Sequence, residues 1–329
     1  MTHMFRAVIA EAPGPPAGYR LGVRHAIAPQ STMVRVRICA VALSYADMLA
    51  ARGGHQVKIA PPFTPGSEFA GVVDAVGEDA GGFALGERVT GICASGALAE
   101  MVTVEVSALR HIPAGLGFEE AAALRVNTAT ALHALADRGT LSAGETLLVL
   151  GGAGGLGSAA IQIGKAIGAQ VIAAASTADK RAFALSQGAD HAIGYDDIEG
   201  REILRAMTDG RGLDVVLDPV GGPMFGMSFR SLAWRGRYLA VGFASGEIPC
   251  LPLNIALVKG ASLIGVEIGR FAALEPTRAR ANEVQIEQWH AEGKIRPAIA
   301  QVFPLTAFRE AMEAAFSGAG CGRVVVRMP

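Results

Sequence analysis

Four apolar residues, Leu147-Leu148-Val149-Leu150, run without a break into Gly151-Gly152-Ala153-Gly154-Gly155-Leu156-Gly157, which leaves the chain few conformational choices at that junction. The apolar run has the length of a buried strand, and the glycines after it permit a tight turn that side chains would block. Behind them Ala159, Ile163 and Ile167 recur at helical spacing, Gly168 supplies a stop, and Val171-Ile172-Ala173-Ala174-Ala175 forms a second strand. Gly152, Gly154 and Gly157 fill a G-x-G-x-x-G frame. In a strand-turn-helix context that frame lets backbone approach a pyrophosphate and seats it on a helix N-terminus. Gly152, Gly154, Gly155, Leu156 and Gly157 are therefore the expected dinucleotide-binding residues.

The end of the second strand bears on which nucleotide is held. A site for NAD offers Asp or Glu there, about 20 residues past the glycines, to hold the ribose 2′-hydroxyl. This chain has Ser176, with Lys180 and Arg181 one helical turn later. The carboxylate that would repel a 2′-phosphate is missing and cations that would attract it are present, so NADP(H) is the expected cofactor. The alternative is that Lys180 and Arg181 are ordinary solvated helix charges.

At 329 residues the chain exceeds what one core usually organises, and 51% hydrophobic residues give ample material for burial. A formal net charge of −1 argues against nucleic acid or an anionic membrane surface as a partner, since both need a basic field. Every long apolar run is cut by glycine or charge short of a membrane span. The opening residues hold only the short run Ala7 to Ala10 before Glu11 and prolines, so no secretory segment is expected. Cys39, Cys93, Cys250 and Cys321 lie far apart in no recognisable frame, as reduced thiols of a cytoplasmic protein would.

Residues 1–125 read mainly as β: Met33 to Val41 alternates, Gly71 to Val76 is β-rich, and Gly86-Glu87-Arg88-Val89 is a turn into a strand. Residues 126–268 alternate strands with helices, predicting an α/β, doubly wound parallel sheet. Residues 269–329 read as a return segment whose last strand, Arg323 to Arg327, has no α/β partner nearby. That strand is assigned back to the first lobe, so the nucleotide domain is an insertion.

Ser44-Tyr45-Ala46-Asp47 with Arg52-Gly53, Pro65 to Gly71, Gly86 to Val89, Gly152 to Gly157 with Gln162 and Lys165, and Gly242-Phe243-Ala244-Ser245 together carry a resemblance over essentially the whole chain. With these motifs the chain resembles the medium-chain dehydrogenase/reductase superfamily and, within it, the zinc-independent NADPH:quinone oxidoreductase group that includes zeta-crystallin. The resemblance implies a GroES-like β domain joined to a Rossmann domain, assembled as a homodimer through the last strands of the nucleotide sheet. It also implies Ser44, Arg52 and His55 as donors near the acceptor oxygen, and Thr130, Phe243 and Ser245 around the nicotinamide. Tyr195 and Lys180 fall around the 2′-phosphoribose. Arg323 matches a family position near the cofactor, the alternative being a solvated charge that opens a strand.

No metal is expected. Zinc-dependent relatives place Cys where Ser44 stands, His where Ser67 stands and Cys near Val126, and none of these three residues supplies a thiolate or imidazole. The chemistry then comes from the cofactor, with hydride passing to a small molecule already activated by conjugation, a quinone or an enone. Arg125 and Arg270 leave open a second substrate class, an activated alkene bearing a carboxylate or CoA thioester, against which stands the reading that both face solvent. A non-enzymatic NADPH-binding, crystallin-like or sensing protein is the remaining alternative.

Overall fold

The computed structural model describes residues 4–54, 58–195 and 200–329. They fall into two compact units, Met1–Val126 with Pro297–Pro329, and Asn127–Arg296. No helix of the described residues is long and apolar enough to cross a membrane.

The first unit is built on strands. β1 (Met4–Ile9) and β2 (Arg20–His25) form an antiparallel hairpin, and β3 (Met33–Leu43) leads into the short helix α1 (Tyr45–Ala51). After these come β4 (Glu68–Val76), β5 (Arg88–Ile92), β6 (Met101–Glu105) and β7 (Leu109–His111). β3 is the hub, pairing antiparallel with both β4 and β6. Its alternation explains why: Val34, Val36 and Ile38 are buried while Arg35 and Arg37 point away from the core, as a half-buried strand requires. The core they join includes Phe69, Val89, Leu98 and Tyr19. Helix α2 (Phe118–Leu132) then carries the chain across the boundary at 126/127.

The second unit alternates strand and helix. Its elements are β8 (Thr146–Leu150), α3 (Gly155–Ile167), β9 (Gln170–Ala174), α4 (Ala178–Ser186), β10 (His191–Ile193), α5 (Gly200–Met207) and β11 (Leu213–Asp218). They continue with α6 (Met224–Arg230), β12 (Leu232–Ala240), α7 (Leu253–Lys259), β13 (Ser262–Gly265), α8 (Ile268–Leu274) and α9 (Pro276–Ala291). The sheet runs β10-β9-β8-β11-β12-β13 with every pairing parallel. The order reverses between β8 and β11, the switch point at which doubly wound sheets bind ligands. Leu147, Leu148, Val149 and Leu150 are all fully buried, because a parallel strand covered on both faces has no polar side.

β14 (Ile299–Pro304), α10 (Phe308–Phe316) and β15 (Arg323–Arg327) return to the first unit, where β15 pairs antiparallel with β3 and parallel with β14. The sequence reading begins this return at 269, whereas the second unit continues through Arg296. Residues 269–296 stay there because of specific contacts within that unit. Phe271 stacks on the His133 ring with centroids 3.8 Å apart, Arg278 and Asn282 bond Asp137, and the Arg296 amide donates to Gln162.

The return of β15 closes around a buried ion pair. Arg323 Nη2 lies 2.8 Å from Glu68 Oε2, with the side chains 4% and 0% exposed. The other Glu68 oxygen accepts the Val126 amide at 2.8 Å, and Arg323 Nη1 reaches the Ala123 carbonyl. Removing one partner would strand a buried charge, which costs about 3–5 kcal/mol. Glu68→Ala should therefore lower the stability of the first unit by about that amount, with Arg323→Met restoring much of it in the double variant. Urea denaturation read from both units measures this; a shift no larger than that of a surface substitution would show that the pair does not hold the return segment.

Candidate functional site

The glycine turn between β8 and α3 is held by contacts that a side chain would destroy. A Cβ on Gly157 would sit 2.1 Å from the Gly151 carbonyl oxygen, and one on Gly152 would sit 2.8 Å from Ala173 Cβ. Gly151 itself has φ +65°, a conformation L side chains rarely adopt. Gly154, the N-cap, differs: a Cβ there would approach nothing closer than the Gly151 carbonyl at 3.4 Å. This glycine leaves open space at the helix start. No side chain of the described residues caps α3, which begins at Gly155-Leu156-Gly157. An N-terminus left uncapped, with room in front of it, fits a pyrophosphate.

Tyr195, just beyond β10, braces the turn from behind. Its hydroxyl accepts the Gly151 amide at 2.8 Å, and burial raises its phenol pKa, so it stays neutral. Tyr195, expected beside the 2′-phosphoribose, thus has its hydroxyl on the glycine turn. At the end of β9, Lys180 Nζ donates to Ser176 Oγ at 3.3 Å, and Arg181 Nη1 reaches the Ala175 carbonyl. Thr177 caps α4 by accepting the Lys180 amide, which fixes where that lysine starts. Ser176, Lys180 and Arg181 thus converge at one strand end, although they come from a loop and a helix.

A third support has no counterpart in the sequence reading. Asp218, at the end of β11 and 2% exposed, accepts the amides of Val220 and Gly221 at 2.7 and 2.8 Å and the Tyr238 hydroxyl at 2.6 Å. Burial and the Asp218 charge push the Tyr238 phenol far up, so it remains a donor. The carbonyls of the Pro219–Val220 turn then accept the amides of Ala244 and Ser245, which sets the Phe243-Ala244-Ser245 loop. Asp-Pro-Val-Gly-Gly after a strand is a turn signal, and it was the available clue. Thr130, 9% exposed, lies on the part of α2 that belongs to this unit.

In the first unit Ser44, Asp47 and Ser67 form one hydrogen-bonded cluster. Ser44 caps α1, its amide and hydroxyl donating to Asp47 Oδ2 at 2.7 and 2.8 Å, while its Oγ accepts the Asp47 amide. Ser67 Oγ donates to Asp47 Oδ1 at 2.7 Å. Burial raises the Asp47 carboxyl pKa, against the pull of the Ser67 and Ser44 hydrogen bonds and of Arg323. Ser-x-x-Asp ahead of a helix is a capping box, so Asp47 was readable as Ser44's partner. Arg52 ends the same helix and is exposed. His55 lies outside the described residues.

Among the described residues no three His, Cys, Asp or Glu side chains gather as a metal ion would need. Cys93, nearest this cluster, has its thiol pushed up to about 12 by burial and by the Asp47 charge, so it carries no thiolate at neutral pH. Arg323, expected near the cofactor, has Nη2 on Glu68. Arg125 directs Nη1 to the carbonyls of Ala108 and Thr90, at 3.2 and 3.5 Å, and Arg270 is exposed.

Residues 30–121 match the family described as alcohol dehydrogenase GroES-like domain, and residues 155–282 that described as zinc-binding dehydrogenase. The chain is 34% identical over 299 residues to the quinone oxidoreductase-like protein 2 homolog of Nematostella vectensis, covering 90% of this chain and 82% of that protein. It superposes on a probable oxidoreductase from Mycobacterium abscessus with TM-score 0.90 at 34% identity, covering 99% of this chain and 100% of the other. A mycobacterial protein solved in complex with NADPH gives TM-score 0.90 at 27% identity, covering 98% and 99% of the two chains.

Tyr195→Phe removes the acceptor of the Gly151 amide while keeping the ring. A lost hydrogen bond of this kind is worth about 1 kcal/mol, so a nicotinamide dinucleotide should bind roughly fivefold more weakly. Fluorescence titration of the reduced cofactor measures it. An unchanged dissociation constant would show that the turn does not depend on this tyrosine.

Proposed function

The chain belongs to the medium-chain dehydrogenase/reductase family, a family of oxidoreductases, and on that premise we propose that it is a metal-independent, NADPH-dependent reductase of quinones or α,β-unsaturated carbonyl compounds. The observation that carries the cofactor choice is Lys180 bonded to Ser176 at the end of β9, where a carboxylate would select NAD. The open helix start at Gly154 to Gly157 holds the pyrophosphate, and Thr130, Phe243 and Ser245 border the nicotinamide. When bound, NADPH supplies the hydride.

The chain's own residues then have two tasks. One is orientation, which the glycine turn, Tyr195 and the Asp218-braced loop perform by leaving the cofactor one seat. The other is to meet the negative charge that grows on the acceptor oxygen, a task for Ser44, Arg52 and His55. Ser44 has one hydroxyl proton, and it is directed at Asp47 Oδ2, so Ser44 can donate to the acceptor oxygen only when its hydroxyl turns away from Asp47. A conjugated acceptor needs no Lewis acid, which agrees with Ser44 and Ser67 standing where zinc ligands would be required and with Cys93 held as a thiol. Arg125, one of two arginines on which a carboxylate- or CoA-bearing substrate rests, directs Nη1 to main-chain carbonyls instead.

Purified protein should turn over 9,10-phenanthrenequinone or a simple enone with NADPH in the presence of EDTA. Lys180→Ala should weaken NADPH by about 1–3 kcal/mol, the range for a hydrogen bond to a charged group, and leave NADH unchanged. Activity lost in EDTA, or equal NADPH and NADH dissociation constants in the unaltered protein, would overturn this reading.

The protein is also proposed to be a cytoplasmic homodimer joined along β13, the end strand of its sheet. Leu253, Leu257 and Val258 on α7 are 78%, 80% and 74% exposed, and Leu263 on β13 and Trp234 on β12 add to this apolar surface. Exposed apolar groups of this number on neighbouring elements mark a covered face. Leu257→Glu with Leu263→Asp should convert a dimer to a monomer in sedimentation velocity. A monomer before substitution would exclude the assembly.

A further inference from the structure

The first unit contains a cavity of about 600 Å³ that the proposed reaction does not use. Its walls come from the β1–β2 hairpin and the start of β3, from residues 59–64, and from residues 95–103 that lead into β6. The volume is that of a small-molecule site. Phe5, Ile27, Phe63 and Met101 make much of its wall apolar.

Two polar side chains in this wall have atoms without partners. Arg24 Nε and Thr64 Oγ1 are buried and make no hydrogen bond among the described residues, and Thr64 is only 6% exposed. Buried donors are normally satisfied, so two in one cavity call for an acceptor. The other arginine of the wall, Arg35, is neutralised by Asp74 at 2.6 Å and also reaches the Ile27 carbonyl. Among the described residues the wall includes no Asp or Glu. Arg24, which makes no ion pair among the described residues, therefore lines a largely apolar space together with His25.

We propose that this cavity is a binding site for an amphipathic monocarboxylate, whose carboxylate accepts from Arg24 and Thr64 while its hydrocarbon body lies against Phe5, Ile27, Phe63 and Met101. One negative charge matches the one free guanidinium, and a planar carboxylate matches its fork. The apolar wall excludes a fully hydrated ion such as inorganic phosphate as the preferred occupant. The site lies within the first unit and its occupancy does not depend on which substrate is reduced.

Isothermal titration calorimetry of the full-length protein with sodium 4-phenylbutanoate tests this, with 4-phenylbutan-1-ol as the uncharged counterpart. The expected result is saturable one-to-one binding of the acid, at least tenfold tighter than the alcohol and unchanged by saturating NADPH. Arg24→Gln should weaken the acid at least tenfold and Thr64→Val several-fold, while both variants retain wild-type NADPH affinity and thus a folded protein. Absence of saturable binding, equal affinity for acid and alcohol, indifference to both substitutions, or displacement by NADPH would each overturn the assignment. Inorganic phosphate at millimolar concentration competing as strongly as the acid would also overturn it, by showing an ion site without a role for the apolar wall.

Discussion

The insertion of one folded unit into another depends on the ion pair between Glu68 and Arg323, which lie 255 residues apart in the chain. Glu68 begins β4 and Arg323 begins β15, so the pair ties the strand system to the segment that arrives only after the whole second unit has been made. Two charges this deeply buried hold each other in place because the alternative for either is an uncompensated charge in a low dielectric. Glu68 also takes the Val126 amide, at the residue where the first unit ends and the second begins. One carboxylate thus fixes both the exit of the chain and the end of its return.

On the nucleotide side the same economy of buried polar groups recurs. Asp218 gathers two loop amides and a tyrosine hydroxyl, and the loop that it shapes holds the amides of Ala244 and Ser245. Tyr195 does for the glycine turn what Asp218 does for the next one. In each case a rigid strand end presents a polar atom that fixes backbone in an otherwise flexible, glycine-rich connection, so the proposed cofactor seat is formed before any ligand arrives.

The cluster of Ser44, Asp47 and Ser67 is a hydrogen-bonded unit that ties the start of α1 to the residue before β4. Its carboxylate is satisfied by three donors from two segments, and its negative charge helps to hold the neighbouring Cys93 as a thiol. The cluster therefore has a structural task, capping α1.

Local patterns made much of this protein legible. The strand-turn-helix at 147–167 follows from steric limits that act within ten residues, since only glycine fits where Gly157 passes the Gly151 carbonyl. Alternation in β3 and the apolar run of β8 follow from which faces meet water, and the convergence of Ser176 with Lys180 from the phase of a single helix start. What the sequence could not decide was where distant segments meet. Nothing local marks Glu68 as the partner of Arg323, Gly151 as the partner of Tyr195, or His133 as the partner of Phe271; the chain path put them side by side. Arg24 and Thr64 carry no motif and share a cavity only because the hairpin packs near the segment before β4. Periodicity encodes which side of an element is buried, but the partner on that side is set by tertiary packing, and a buried charge or hydroxyl takes its role from that partner.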